Sequence, residues 1–234
     1  MSAIYLIRHG QASFGKADYD QLSKKGAMQS QLLGKSWQPL PAPGHIFSGD
    51  LLRHEQTLEN FSLGYQGSKP ARILHSGFNE FNHIEVLTRY DAQWKNFADK
   101  VAKTNKLPNA NQCFQAEFSL AIKRWIGGAY DSDYIESWPQ FKKRCITALQ
   151  DVINQELMNA KRSNDICIFT SGGTISVLVQ HILGLSDQNT LAIIQQLRNT
   201  SVTKLLFSKK NLSIDYFNNY SHLTQAGTDW VTFR

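Results

Sequence analysis

The chain has 234 residues, of which 41% are hydrophobic and 19% charged, and it carries a formal net charge of +6. This apolar content excludes a disordered chain, and no apolar run approaches the roughly 18 residues that cross a bilayer. We therefore expect a soluble, cytoplasmic globular protein without a membrane partner, folded as a single α/β domain over residues 1–234. The positive charge favours either an anionic ligand or simple solubility, and composition does not decide between them.

Three cysteines, Cys113, Cys145 and Cys167, lie far apart in the sequence, with no C-x-x-C spacing and no cluster with histidine. An odd number without framework spacing argues against disulfides and against a structural zinc. We expect reduced, mostly buried thiols and no metal.

Strands alternate with helices in the first part of the chain. A short, apolar and β-branched segment predicts a buried strand over Ala3–Ile7, which ends at polar residues. Ser23 is the expected N-cap of a helix that ends at Trp37, before a cluster of prolines. A strand over His45–Phe47, a helix over 50–60 and a strand over Ile73–His75 follow.

The segment from about 88 to 138 breaks this pattern. It is irregular and rich in Asn and Lys, and it predicts a small helical insert with helices over Tyr90–Ala102 and Gln115–Gly127. Ser137 and Gln140 then form a capping-box pattern that starts a helix reaching about residue 160. The remaining elements are a strand over Asp165–Thr170, a helix directly after Thr174, a helix over Asp187–Leu197, and strands over Ser201–Phe207 and Leu212–Phe217. This alternation predicts a three-layer α/β fold with a mainly parallel sheet flanked by helices.

Two predicted turns carry polar residues at the carboxyl ends of strands, where parallel α/β sheets bind their ligands. Arg8, His9 and Gly10 supply a fixed cation, an imidazole and a glycine that lets another group approach the backbone. Ser171 and Gly172 begin a turn at a helix N-terminus, where free N–H groups and the helix dipole favour an anion. Each pattern is weak alone, because such tripeptides occur by chance and paired glycines are common in tight turns.

A third segment, Ser48–Thr57, strengthens the prediction of an anion site. It follows a strand and runs into a helix, which places Arg53 about one turn into that helix. Two guanidinium groups, from Arg8 and Arg53, make fork-shaped contacts with phosphate oxygens. An imidazole between them, that of His9, can attack phosphorus and form a covalent intermediate.

These motifs resemble those of the histidine phosphatase superfamily, whose fold is phosphoglycerate-mutase-like. Leu6–Gly10 looks like the family's phosphate-binding strand end, and Ser48–Thr57 looks like its second-arginine motif. Asp20–Gly26, Glu136-Ser137 and Phe169–Leu178 match three further motifs in the same order. The resemblance implies the fold of that family for most of the chain and is weakest between residues 88 and 128.

The resemblance also implies phosphomonoester hydrolysis through a phosphohistidine intermediate, on a small phosphorylated substrate and without a metal or other cofactor. By that analogy His9 is the nucleophile, kept neutral while its other ring nitrogen donates to a backbone carbonyl. Arg8 and Arg53 clamp the phosphoryl group. Glu80 stands where the family keeps its general acid, and Glu85 is the competing candidate.

Position 171 departs from the family pattern, because typical members carry a second histidine where this chain has Ser171. The hydroxyl can still donate to a phosphate oxygen, so Ser171 and Gly172 stay in the predicted phosphate site. His222, near the chain end, is an unanchored candidate to replace the missing histidine. Because losing a positioned donor slows phosphoryl transfer, a phosphate-binding or regulatory protein with little turnover stays open, as does a phosphoglycerate-mutase-type phosphotransferase.

Residues next to the motifs are predicted to line the substrate pocket: Gln11, Ser13, Phe14 and His54. Nucleic-acid binding is not supported, because the basic clusters are short and separated and no reader motif is present. A homodimer is left open.

Overall fold

The computed structural model describes residues 2–13, 20–40, 42–158 and 165–233. Contacts between residues divide the chain into two compact units, a smaller one that holds Phe81–Lys143 and a larger one that holds the described residues before and after it. The smaller unit begins earlier and ends later than the insert predicted over 88–138. The prediction of a single domain stays a prediction.

Six strands and nine α-helices make up the part of the chain that the structure describes. The strands are β1 (Ser2–Arg8), β2 (His45–Ser48), β3 (Arg72–Leu74), β4 (Ile166–Thr170), β5 (Val202–Phe207) and β6 (Leu212–Asn219). The helices are α1 (Lys24–Trp37), α2 (Leu52–Gly64), α3 (His83–Tyr90), α4 (Phe97–Thr104), α5 (Ala110–Ile126), α6 (Trp138–Met158), α7 (Gly172–Leu183), α8 (Asp187–Gln196) and α9 (Ser221–Ala226). Short 3₁₀ turns lie at Ser76–Phe78, Ala92–Lys95, Asp131–Asp133 and Thr228–Trp230.

The strands form one sheet in the order β3-β2-β4-β1-β5-β6. The four strands from β3 to β1 pair in parallel, whereas β5 pairs antiparallel with β1 and β6 antiparallel with β5. Ile4 and Leu6 of β1 point to one face, Tyr5 and Ile7 to the other, and all four are buried. Both faces of this central strand are therefore covered, as its apolar sequence predicts. The predicted α/β fold with a mainly parallel sheet is confirmed.

Helices α1 and α2 cover the Tyr5 side of the sheet. The Trp37 ring of α1 lies edge-on against Tyr5 (4.9 Å between ring centroids) and against Phe61 of α2 (5.7 Å). The two helices approach closely, because a Cβ atom placed on Gly34 would lie only 2.0 Å from the Phe61 carbonyl oxygen. Glycine at this position lets the helix backbones meet and buries the aromatic rings between them and the sheet.

The helix boundaries of the smaller unit differ from those predicted. The segment predicted as one helix over 90–102 is interrupted by a 3₁₀ turn, with α3 ending before it and α4 beginning after it. Asn82 caps α3 by accepting from the Glu85 backbone N–H (3.1 Å), and Asn96 caps α4 by accepting from that of Asp99 (3.4 Å). The Asn96 cap begins a new helix inside the segment predicted as continuous, because a short polar side chain satisfies N–H groups that a helix start leaves unpaired.

The interior of the smaller unit is aromatic. Helix α5 begins before the helix predicted over Gln115–Gly127, and it contributes Phe114 and Trp125. Trp94 packs on Phe114 (5.6 Å between ring centroids), and Phe81 packs on Trp125 (4.8 Å). The scattered aromatic residues of this irregular sequence thus form a core of their own.

Helix α6 begins with the predicted capping box, in which the Gln140 side chain accepts from the Ser137 backbone N–H (2.7 Å). Its predicted end near residue 160 lies outside the described residues. Within the described ranges no helix is long and apolar enough to cross a membrane, and no group of three or more His, Cys, Asp or Glu side chains could hold a metal ion. All three cysteines are free thiols, of which Cys145 and Cys167 are buried and Cys113 is partly exposed.

Candidate active site

The carboxyl ends of three neighbouring parallel strands meet at one edge of the sheet. β1 and β4 are paired in register, with Arg8 opposite Thr170, and the His9 backbone N–H continues the ladder by donating to the Thr170 carbonyl (2.9 Å). β2 lies on the other side of β4, with Ser48 opposite Phe169. The turns after β1, β2 and β4, which carry the predicted phosphate-site residues, therefore start from the same edge.

The imidazole of His9 is buried and neutral. Its Nδ1 lies 2.7 Å from the Gly10 carbonyl oxygen. Burial holds the pKa of His9 well below its ordinary value, and the positive charges of Arg53 and Arg8 lower that pKa further. Because a carbonyl can only accept a hydrogen bond, the single ring proton sits on Nδ1, and Nε2 keeps its lone pair. This is the state that the sequence analysis expects of a nucleophilic histidine.

The backbone around His9 is held from several directions. The Gly10 N–H donates to Thr57 Oγ1 (3.0 Å), and the His9 carbonyl accepts from Asn199 Nδ2 (3.2 Å). A Cβ atom placed on Gly10 would lie 2.4 Å from the Gly26 carbonyl oxygen, so glycine is required where the loop meets the start of α1. The predicted close approach at Gly10 is thus a contact with the backbone of α1.

Arg8 lies between the chain end and the start of α7. Its Nη1 donates to the backbone carbonyls of Leu197 and Phe233. A Cβ atom placed on Gly172 would lie 3.3 Å from Arg8 Nε, so the guanidinium runs along the first turn of α7. A fixed positive charge and a helix N-terminus are thereby side by side, and both favour an anion.

Arg53 is 6% exposed and is oriented by a carboxylate that sequence reasoning did not single out. Its Nη1 donates to Asp20 Oδ1 (2.6 Å), and Asp20 Oδ2 accepts from the Leu52 backbone N–H (2.8 Å). Asp20 thus joins the guanidinium to the start of α2. The sequence did carry a signal for Asp20, which belongs to the Asp20–Gly26 motif, but that motif predicted only the start of a helix.

His54 and Ser171 form a buried pair. His54 Nε2 lies 2.7 Å from Ser171 Oγ, and both residues are fully buried. The His54 ring lies 5.9 Å from that of His9. Burial, followed by the charges of Arg53 and Arg72, holds the pKa of His54 well below its ordinary value, against an opposing backbone contact with Gly49. His54 is therefore fully buried and in contact with Ser171, and its place in the lining of a substrate pocket stays a prediction.

The segment that carries Glu80 is tied to β4 and α7. Thr170 Oγ1 donates to the Phe78 carbonyl (2.6 Å), and Thr174 Oγ1 donates to the Asn79 carbonyl (3.1 Å). Glu80 Oε2 accepts from the Gly173 backbone N–H (3.0 Å), which places its carboxylate at the first turn of α7.

Glu85, the competing general acid, belongs to the smaller unit. There its Oε1 accepts from the Ile135 backbone N–H (2.7 Å) and lies 3.8 Å from Arg89 Nε.

The other predicted residues have mixed positions. Gln11 and Ser13 stand after the His9 turn, where the Gln11 side chain accepts from Ser23 Oγ (2.9 Å). Phe14 lies outside the described residues. His222 bonds to Thr200 Oγ1 (2.9 Å), and burial lowers its pKa to about 4. The imidazole that lies beside Ser171 is that of His54, not that of His222.

A model of the histidine phosphatase superfamily (branch 1) matches residues 4–220. This chain belongs to that superfamily. A search of curated proteins finds no match for it.

Several solved structures share the fold of this chain at low identity. A phosphoglycerate mutase from Bacillus anthracis str. Sterne is 16% identical with a TM-score of 0.67, and the match covers 96% of each chain. A phosphoserine phosphatase variant from Entamoeba histolytica, in complex with phosphoserine, is 18% identical with a TM-score of 0.64 over 95% of this chain and all of the other. A mycobacterial glucosyl-3-phosphoglycerate phosphatase is 18% identical with a TM-score of 0.61, over 93% of this chain and 99% of the other.

In this histidine phosphatase superfamily member, sequence reasoning found most of the groups at the strand ends. It missed three hydrogen bonds that position these groups: Arg53 to Asp20, Gly10 to Thr57, and the bond between His54 and Ser171. Each involves a polar residue within or beside a recognised motif, so the type of that residue was visible in the sequence. Its partner was not, because pairing depends on where side chains of distant segments point.

Proposed function

We propose that this protein hydrolyses a small phosphomonoester through a phosphohistidine intermediate on His9, without a metal ion. The observation that carries the proposal is the His9 ring, which is buried and neutral, with Nδ1 committed to the Gly10 carbonyl and Nε2 left as a nucleophile. Burial keeps this ring neutral and the charges of Arg53 and Arg8 lower its pKa further, and the same charges attract a phosphate dianion and stabilise its transfer.

The reaction takes two steps. In the first, the Nε2 lone pair attacks phosphorus while the ester P–O bond breaks, and the leaving alkoxide takes a proton from Glu80. In the second, Glu80 takes a proton from a water molecule whose oxygen attacks phosphorus, the N–P bond breaks, and inorganic phosphate leaves. Arg8 and Arg53 stabilise the charge on the equatorial oxygens in both steps.

The position of Glu80 supports its role as the acid. Its carboxylate lies at the first turn of α7, bonded to Gly173, next to Ser171 at the same strand end as His9. Glu85 has its carboxylate engaged with Ile135 inside the smaller unit. We therefore assign the proton transfers to Glu80.

The similar structures support a small phosphorylated substrate, since their names include phosphoserine and glucosyl-3-phosphoglycerate. They include a mutase as well as phosphatases. A mutase-type phosphotransferase and a phosphate-binding protein with little turnover are therefore the alternatives that an experiment has to separate.

The test is hydrolysis of p-nitrophenyl phosphate and of a panel of small phosphomonoesters by chelator-treated protein. We expect the wild type to turn over and His9→Ala to lose about a thousandfold or more in kcat, because the nucleophile is gone. His181 is exposed at the end of α7, so His181→Ala is the matched control and should keep wild-type rates.

Rapid quenching with radiolabelled substrate should trap an acid-labile, base-stable phosphoryl group on the wild type and none on His9→Ala. A phosphoenzyme that releases its phosphoryl group only to a second acceptor would identify a mutase. Phosphate binding without turnover would identify a binding protein. Trapping of the phosphoryl group on His9→Ala would sink the assignment of the nucleophile.

A further inference from the structure

Three serines stand at helix N-caps in the larger unit, and one of them does not cap. Ser23 Oγ accepts from the Gly26 backbone N–H (3.0 Å), and Ser186 Oγ accepts from that of Asn189 (3.2 Å). Ser171 occupies the same position before α7, but its side chain makes no capping hydrogen bond. Serine is favoured at N-caps because its oxygen satisfies N–H groups that the helix start leaves unpaired. Something therefore holds the Ser171 side chain away from its own helix.

The group that holds it is His54, whose Nε2 lies 2.7 Å from Ser171 Oγ. On the other side of the ring, Nδ1 lies against the Gly49 backbone, where a Cβ atom would be 2.5 Å away. The Gly49 carbonyl is already bonded to Arg72 Nη2 (3.0 Å) and to Ser48 Oγ (2.8 Å).

The bond to Ser171 holds for either position of the ring proton. The ring is neutral, because burial keeps its pKa well below the ordinary value, so it has one N–H and one lone pair. Nε2 either donates to Ser171 Oγ or accepts from its hydroxyl, and in both cases the 2.7 Å bond ties the Ser171 side chain to His54.

This bond has a consequence for the first turn of α7. With its oxygen engaged by His54, Ser171 does not compete for the N–H groups of the turn, of which that of Gly173 binds Glu80 Oε2. Arg8 runs along the same turn beside Gly172. The N–H groups of the turn other than that of Gly173 are thus left uncapped by the serine and lie next to a guanidinium, as binding of a phosphate oxygen requires.

We propose that His54 is a positioning residue of the phosphate site: it holds the Ser171 hydroxyl away from the N-cap position and so leaves the first turn of α7 to the substrate's phosphate. The inference rests on the proposed function, because it takes the strand-end pocket as the phosphate site. It assigns His54 a role through Ser171, without direct contact with the substrate.

The experiment measures the affinity for inorganic phosphate by titration calorimetry, which needs no turnover. His54→Phe keeps a ring of similar size but removes the bond to Ser171, so Ser171 is released to cap α7. We expect phosphate affinity to fall about tenfold or more, the value of one hydrogen bond to a charged group. His54→Gln can place an amide N–H near the former Nε2 position, and we expect it to keep an affinity close to that of the wild type.

The double variant separates positioning from direct binding. Ser171→Ala removes the competing hydroxyl, so His54→Phe/Ser171→Ala should regain the phosphate affinity of Ser171→Ala alone. If the double variant binds phosphate as weakly as His54→Phe, or if His54→Gln is as weak as His54→Phe, the inference is wrong.

Thermal unfolding without phosphate identifies a folded variant, and affinity is compared among folded variants only. If His54→Phe does not fold, His54→Leu takes its place in the same comparison. A wild type that binds no phosphate would overturn the proposed function as well. A wild type that binds and hydrolyses, with unchanged affinity in every variant, would overturn only the role of His54.

Discussion

The larger unit buries polar and titratable groups at one edge of its sheet. His9, Arg53, His54 and Ser171 are each at most 6% exposed. Each is held by a hydrogen bond to a named partner, such as Gly10 for His9 and Asp20 for Arg53. Polar groups buried in this way cost free energy unless they are paired.

The smaller unit buries aromatic rings and keeps its charges at the margin. Trp94 and Trp125 are at most 1% exposed, whereas Arg124 pairs with the more exposed Asp133. Rings stabilise a core through the apolar area that they bury. The two units therefore differ in what they bury: the larger unit holds hydrogen-bonded polar groups at one edge of its sheet, whereas the smaller unit is stabilised by aromatic packing.

The largest expected effect is a loss of stability when the aromatic core of the smaller unit is disrupted. Trp125 packs on Phe81 and Trp138 and donates from Nε1 to the Glu136 carbonyl. We expect Trp125→Ala to lower the free energy of unfolding by about 3–5 kcal/mol, because removal of the indole ring leaves a cavity in the core of this unit. Trp125→Phe, which keeps a ring, should cost less. Denaturant titration followed by circular dichroism measures both, and a loss below about 1 kcal/mol in Trp125→Ala would contradict the role of the aromatic core.

The next effect, on the rate of hydrolysis, tests whether the general acid is Glu80 of the larger unit or Glu85 of the smaller unit. We expect Glu80→Gln to lower kcat for an alkyl phosphate about a hundredfold or more, because the alkoxide then leaves without a proton. The same variant should lose much less on p-nitrophenyl phosphate, whose leaving group needs no proton. Glu85→Gln is the control in the smaller unit and should show no such selectivity. Equal losses on both substrates would remove Glu80 from the proton transfer.

The smallest effect concerns a buried histidine outside the strand-end site. Burial lowers the pKa of His222 from 6.5 to about 4, so between these values the unfolded chain binds more protons than the folded protein. Stability therefore falls as pH falls through this window, and His222 contributes about 1 kcal/mol of that fall between pH 6.5 and 5.5. His9 and His54 act in the same direction.

The variant His222→Phe should reduce this loss of unfolding free energy by about that amount. His181→Phe, at an exposed position, should leave the pH dependence as in the wild type. Urea titrations at several pH values provide the measurement, and an unchanged slope in His222→Phe would show that His222 is not the group responsible.

The sheet and the meeting of the motifs were predictable from local sequence. The apolar, β-branched runs of β1 and β4 have one plausible structure, a buried strand, and parallel strands bring their carboxyl ends to one edge. Arg8 is the last residue of β1, and His9 and Ser171 directly follow β1 and β4, so their proximity needed no further information. Ser23 was predictable as a cap for the same local reason.

What escaped prediction depends on side-chain direction or on competing local preferences. Asn96 is tolerated within a helix and favoured at its start, and the structure has it capping α4, so one of two competing local preferences decides the break between α3 and α4. The bond between His54 and Ser171 joins segments 117 positions apart. Its signal was the coincidence of an unusual serine at position 171 with a histidine directly after Arg53.

The place of β1 and β4 at the middle of the sheet has a consequence for the dynamics of the site. The His9 amide is bonded to the Thr170 carbonyl, one residue beyond the last paired position of β1. Fraying removes edge strands first, so opening this bond requires separation of the two central strands. The His9 amide should therefore exchange with solvent as slowly as those of the strand interior, which makes the proposed nucleophile part of the most persistent structure in the molecule.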